Sequence, residues 1–174
     1  MIGGYSNTLY VTGNTFFNYS TIKTSVLSFW WNAVASSGNG NYLYATEYNS
    51  VSTLTNFYVY NFFFDTFTKN TSQVFAYPIN AMAASELGDR VVAFSGENTI
   101  TNYGGIYISS NYGSTFSLTL NSPNLGTEQS VVMNSNGQYI LGTCTQSSIL
   151  LLSSNYGSTF TIPLSGSLFT KVAI

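Results

Sequence analysis

The chain has 174 residues, with four Lys or Arg, six Asp or Glu, no His and one Cys, for a net charge of −2. Charged residues make up 6% of it, against roughly 25% in ordinary soluble domains, and the lack of a basic patch argues against a nucleic-acid-binding role. One Cys and no His also exclude a disulfide framework within the chain, a Cys/His metal centre and any Ser–His or Cys–His nucleophile.

At this length a chain buries about 70% of its unfolded surface, so a single domain over residues 1–174 is expected. Aromatics reach 17%, with 14 Tyr and 13 Phe, and the polar remainder is mostly Ser, Thr and Asn. That mixture suits strands and turns and opposes long helices. No apolar run approaches the ~20 residues of a membrane-spanning helix. The opening Met1-Ile2-Gly3-Gly4-Tyr5 lacks the basic start and apolar stretch of a secretory signal. Asn18-Tyr19-Ser20 and Asn70-Thr71-Ser72 fit the glycosylation acceptor pattern, a pattern that arises easily by chance in such a chain.

Taken in order, Leu9-Tyr10-Val11 reads as a strand, followed by a corner at Gly13-Asn14-Thr15-Phe16. Trp30-Trp31 comes next. In a strand the two rings face opposite sides, so sugar stacking with the nearby Tyr42 and Tyr44, or core packing, are both open. Residues 32–46, 80–94 and 130–143 share one pattern: a small-apolar strand, a turn ending in Gly, and a second apolar strand. Their glycines, Gly40, Gly88 and Gly137, are 48 and 49 residues apart. Residues 56–67 are strongly aromatic and read as a third strand buried between neighbours, or as a platform for sugar rings. Glu86, Asp89 and Arg90 fall in a turn, where local ion pairing in a solvated loop is expected.

The most informative string is Ser-Ser-Asn-Tyr-Gly-Ser-Thr-Phe, present at residues 109–116 and again at 153–160. Apolar runs precede both copies and alternating runs follow, so each reads as a hairpin. Asn111 and Asn155 can bond their own backbone in the manner of an Asx-turn. Gly113 and Gly157 accept positive φ, and the following Phe can fold under the turn as its plug. With Ser109, Asn111, Gly113, Thr115 and Phe116, and again Ser153, Asn155, Gly157, Thr159 and Phe160, the string resembles the Asp-box, the sialidase-type repeat. It departs from that pattern in having Asn for Asp and Phe for Trp. The resemblance implies an all-β fold of β-propeller-like blades, each with four antiparallel strands. It also implies a structural role for the box, between the last two strands of a blade and away from the catalytic face.

Box ends at Phe16, Phe67, Phe116 and Phe160 are spaced 51, 49 and 44 residues. They divide the chain into about three full repeats, 18–70, 71–120 and 121–165, with partial ones at 1–17 and 166–174. The end at Asp65-Thr66-Phe67 has lost its Gly and Asn. Residues 168–174 resemble the opening strand of another unit. A closing unit built from the two termini is short by about one hairpin. A neighbouring chain, or a longer protein of which this is part, would complete the ring.

The sialidase resemblance implies three arginines around an acidic sugar, yet the chain has only Arg90. None of that family's catalytic residues finds a position here. No catalytic residue, metal ligand or cofactor is therefore expected. Three functions stay open. The first is a non-catalytic structural or adhesive subunit of an extracellular or virion surface assembly, self-associating or completed by a neighbouring chain. The second is a glycan-binding module using Trp30, Trp31, Tyr42 and Tyr44. The third is a fragment of a sialidase-like glycoside hydrolase whose active site lies outside the chain.

Overall fold

The computed structural model describes residues 8–12, 19–23, 29–49, 52, 54–75, 77–96, 104–122, 129–144 and 148–166. The regular elements among them are all strands, and none of the described residues forms a helix long and apolar enough to cross a membrane. A hairpin of β1 (Thr8–Thr12) and β2 (Tyr19–Lys23) comes first. Three four-stranded antiparallel meanders follow. Blade 1 holds β3 (Phe29–Ser36), β4 (Tyr42–Asn49), β5 (Leu54–Asn61) and β6 (Thr66–Phe75). Blade 2 holds β7 (Ile79–Ala84), β8 (Val91–Ser95), β9 (Gly104–Ser109) and β10 (Ser117–Ser122). Blade 3 holds β11 (Gln129–Met133), β12 (Ile140–Cys144), β13 (Ile149–Ser153) and β14 (Thr161–Ser165).

These limits differ from repeats drawn at 18–70 and 71–120. Residues 19–23 pair back with β1, and blade 1 runs on to Phe75. The cause of the late end is a wide bulge. Asn56 pairs with Val74 and Phe57 with Asn70, so residues 71–73 stand outside the ladder; in blade 2 only Thr119 does so. The corner expected at 13–16 and the strand expected at 168–174 lie outside the described residues.

β7 lies between β3 and β11, so the first strands line the inside of an arc and the fourth strands form its rim. Asn32 crosses the inner seam, donating from Nδ2 to the Ile79 carbonyl at 2.6 Å. Strand alternation then divides the side chains between two joints. Between blades 1 and 2, Ala33, Tyr44 and Phe57 meet Ile79, Val91 and Ala93. Between blades 2 and 3, Val92, Phe94 and Ile106 meet Val131, Ile140 and Leu151. All of β8 is buried, because alternate residues serve opposite joints. That explains the unbroken apolar runs in the sequence. Each fully buried Phe, Ile or Val contributes about 1.5–3 kcal/mol.

The two octapeptides form the same corner bond for bond. Ser109 Oγ donates to Asn111 Oδ1 at 2.9 Å and accepts from the Gly113 N–H at 3.0 Å. Asn111 Oδ1 also accepts from the Thr115 N–H at 2.9 Å, while its Nδ2 donates to Thr115 Oγ1 at 2.9 Å. Ser153, Asn155, Gly157 and Thr159 repeat this set at 2.8–3.0 Å. The central residues are left-handed in both copies, Tyr112 at φ 59° and Gly113 at 76°, Tyr156 at 63° and Gly157 at 78°. Two successive positive φ values are those of the primed hairpin turn, whose twist suits adjoining strands. Holding Tyr there costs about 1–2 kcal/mol, and each ring finds a contact across the joint. Tyr112 lies 5.0 Å from the Tyr42 ring. Tyr156 lies under the Arg90 guanidinium, 4.2 Å from it.

The box Phe does not fold under its own turn. Phe116 packs on Phe57 and Phe75 of the preceding blade, at 4.9 and 5.3 Å, and Phe160 reaches Phe94 of blade 2 at 6.4 Å. Gly113 lies against that same blade, where a Cβ would stand 2.7 Å from Phe57 Cε1. The altered corner of blade 1 keeps one feature, Asp65 in the left-handed region at φ 49°. The aromatic run 56–67 is therefore strand, then turn, then strand, with Phe63 and Phe64 exposed at the turn. The spaced glycines behave as expected: Gly40, Gly88 and Gly137 all have positive φ and close the first turn of their blades.

Replacing Gly157 with Ala should destabilise the chain by about 2–5 kcal/mol, the sum of a left-handed Ala and a Cβ driven into Ile108. Asn155→Asp, which keeps the Oδ1 acceptor, should stay within about 0.5 kcal/mol of the parent, and Asn155→Ala should lose about 1–2 kcal/mol. Urea unfolding measures all three. Equal stability of Gly157→Ala and the parent would contradict the corner geometry.

Candidate functional site

The four aromatic candidates separate. Trp31 is 6% exposed and packs on Tyr58 and Phe67. Tyr44 is fully buried, with its hydroxyl donating to the Gly88 carbonyl at 2.7 Å. Trp30 is 45% exposed but pairs with Tyr48, six positions along β4 from Tyr42. At ~3.3 Å per residue that is about 20 Å. The four rings therefore form no single stacking platform: Tyr44 packs in the joint of blades 1 and 2, Trp31 in a cluster within blade 1, and Trp30 and Tyr42 sit at opposite ends of a strand.

Tyr42 belongs to a different constellation. A cleft of about 500 Å³ opens between the rim of blade 1 and the box corner of blade 2, lined by Tyr42, Tyr112, Asn61, Thr68 and Ser72 among others. Its floor is tied down. Asn70 Nδ2 donates to the carbonyls of Gly113 and Ser114, at 2.7 and 2.8 Å. The amide of this acceptor-pattern Asn is therefore engaged in a joint, and a glycan attached there would break both bonds.

The described carboxylates are held singly. Glu47 is 3% exposed, and its Oε2 accepts from the Tyr58 hydroxyl at 2.7 Å and Asn56 Nδ2 at 3.2 Å. Burial, then the bond to Glu47, pushes the Tyr58 phenol above its ordinary range, so it stays a donor. Asp65 accepts from the Tyr60 hydroxyl. Asp89 accepts from Ser85 Oγ at 2.6 Å. The cleft lining contains no acid, and no three His, Cys, Asp or Glu among the described residues group as metal ligands. Glu97 and Glu128 lie outside the described residues. The ion pairing expected at 86–90 is replaced by the stacking of Arg90 on Tyr156. Cys144 is buried at the joint of blades 2 and 3, and burial pushes its thiol up to about 12.

No protein-family model matches the chain, and no curated protein does. Solved structures do. A GH74 enzyme from Niastella koreensis aligns with a TM-score of 0.60 at 20% identity, over 83% of this chain and 24% of that one. Dipeptidyl peptidase 4 from Porphyromonas gingivalis gives 0.64 at 12% identity, over 95% and 32%. TolB from Acinetobacter baumannii gives 0.62 at 11% identity, over 91% and 38%. The chain thus spans about a quarter to two fifths of these proteins. At such identities the likeness concerns fold alone, and with the three meanders it establishes an all-β, β-propeller-type chain.

Cys144, Tyr44 and Tyr58 all have raised values in the fold. Such groups contribute stability fully below their unfolded values, near 9 for the thiol and 10 for the phenols, and lose it as pH rises through the folded values. Denaturant midpoints should be level near neutrality and fall between about pH 9 and 12. Ellman's reagent should leave Cys144 unlabelled in the folded chain and react after unfolding. Rapid labelling of the native thiol would contradict its burial.

Proposed function

We propose that the chain is a non-catalytic structural, adhesive β-propeller subunit of an extracellular or virion surface assembly, its arc of blades completed by a second copy. The observation that carries this reading is the chemistry of the two end faces. On the outward side of blade 3, register lines up Val132, Leu141 and Leu152 in one row, with Thr143, Leu150 and Leu164 in the next. The same register positions in blade 2 hold Ala83, Val92 and Ile108, then Phe94, Ile106 and Leu120, which form its joint with blade 3. Blade 1 offers the complementary half outward: Val34, Leu43, Tyr58, Tyr60 and Phe67 around Trp31.

Leu152 and Leu164 are 37% and 55% exposed, a pattern that favours association. Two copies joined head to tail would give six four-stranded blades, within the four to eight of known propellers. The scarcity of surface charge suits a permanent assembly more than a free monomer.

A second reading has one observation in its favour, the likeness to about a quarter of a GH74 enzyme. In it, the chain is part of a glycoside hydrolase whose acids lie beyond these residues.

Light scattering and electron microscopy of the 174-residue chain should show dimers or larger closed particles. Leu152→Lys with Leu164→Lys should shift them to monomers with an unchanged circular dichroism spectrum. A parent chain that stays folded and monomeric throughout the micromolar range would refute the assembly reading.

A further inference from the structure

We infer that the cleft between blade 1 and the box corner of blade 2 is a binding site for an uncharged saccharide. The inference holds whether or not the arc closes, because the cleft is internal to blades 1 and 2.

The repeat provides its own comparison. Tyr42, Arg90 and Tyr139 occupy one position in the three blades, two residues after the turn glycines Gly40, Gly88 and Gly137. Their N–H groups make equivalent bonds, to Ser37 Oγ, Ser85 Oγ and Asn134 Oδ1. At the joint of blades 2 and 3, Arg90 covers the box ring of Tyr156. At the joint of blades 1 and 2, Tyr42 meets Tyr112 at a tilt of 37°, so both partners there are aromatic; Tyr112 is 43% exposed, against 39% for Tyr156. The second departure is the bulge at 71–73, two residues longer than its counterpart at Thr119. It raises Thr71 and Ser72 as a wall opposite the tyrosines. Bulges often stand beside binding sites for this geometric reason.

The wall is fixed before any ligand arrives. Asn70 Oδ1 accepts from the Ser72 N–H at 2.9 Å, and its amide is spent on the opposite corner. Gln73 Oε1 accepts from the Phe116 N–H at 3.3 Å. A preformed cleft avoids an ordering cost on binding, and its volume is within the usual range for small-molecule sites.

The lining chemistry selects the ligand class. Aromatic faces at Tyr42 and Tyr112 suit the C–H faces of a sugar ring. Hydroxyls at Thr68, Thr71 and Ser72 and the Asn61 amide supply donors and acceptors for its equatorial groups. Lys69 is the sole charged residue of the lining. It pairs in register with Tyr58, so alternation turns its side chain to the face of β6 opposite Thr68 and Asn70. Nothing in the cleft therefore neutralises a carboxylate or sulfate.

The test is titration of the chain with cellohexaose, xylohexaose, mannohexaose and laminarihexaose, with sialyllactose as the charged control, followed by NMR shifts and calorimetry. At least one neutral oligosaccharide should bind. Tyr112→Asn, which retains a residue tolerant of the left-handed corner, should weaken it about tenfold or more. Tyr42→Arg, which repeats the residue of the next joint, should remove one stacking face and weaken binding likewise. Ser72→Trp, at an exposed position, fills the cleft should that variant fail to fold. Silence from all four neutral sugars with the fold intact would overturn the inference. So would binding that survives Tyr112→Asn and Ser72→Trp, which would move the sugar to Trp30, or a preference for sialyllactose.

Discussion

A left-handed Asn-Tyr-Gly corner, pinned from both sides by Ser and Asn side chains, is the constraint from which the remaining architecture follows. Ser109 and Asn111, and again Ser153 and Asn155, use one hydroxyl and one amide to satisfy the backbone of the whole bend. The bend brings the fourth strand back beside the third. It also turns the bare face of the glycine toward the preceding blade, where Phe57 touches Gly113 and Ile108 touches Gly157. A Cβ is excluded twice at that atom, once by φ and once by the neighbour. Local turn chemistry and long-range packing are thus decided by the same residue.

From that point the blades build by addition. Each sheet has two apolar faces, and every interior face has a partner. Stability in such an array is approximately a sum over blades and the joints between them, and under the proposed assembly each end face is half of a further joint. The exposed leucines of blade 3 stand at one of those ends. The proposal of assembly and the low charge of the chain are two aspects of this one feature. The proposed saccharide cleft has another origin: it arises where blade 1 departs from the repeat through a longer bulge, beside the Tyr42–Tyr112 pair.

The sequence revealed whatever depends on backbone conformation over a few residues. The octapeptide corners, the turn glycines Gly40, Gly88 and Gly137, and the buried run of β8 were legible because their signals are local. What escaped depends on which face meets which neighbour. Phe116 reads as a plug for its own turn until the joint shows Phe57 and Phe75 waiting for it. Trp30 and Trp31 do point apart, as alternation requires, but no sequence pattern tells that Tyr44 faces a joint and Trp31 a cluster within blade 1. The bulge at 71–73 hid because Thr-Ser-Gln carries no breaker residue. The cleft spans residues some 70 positions apart, Tyr42 to Tyr112, so no local pattern marks it.

The central claim is that a box glycine locks its blade onto the one before, and a double-mutant cycle between Gly157 and Ile108 measures that contact directly. If Ile108 limits the space at Gly157, then Ile108→Ala should relieve part of the cost of Gly157→Ala, and the double variant should be more stable than the two single losses predict by about 0.5–3 kcal/mol. Strict additivity of the two substitutions would mean that the corner and the neighbouring blade do not touch there, and the account of blades joined through their corners would not stand.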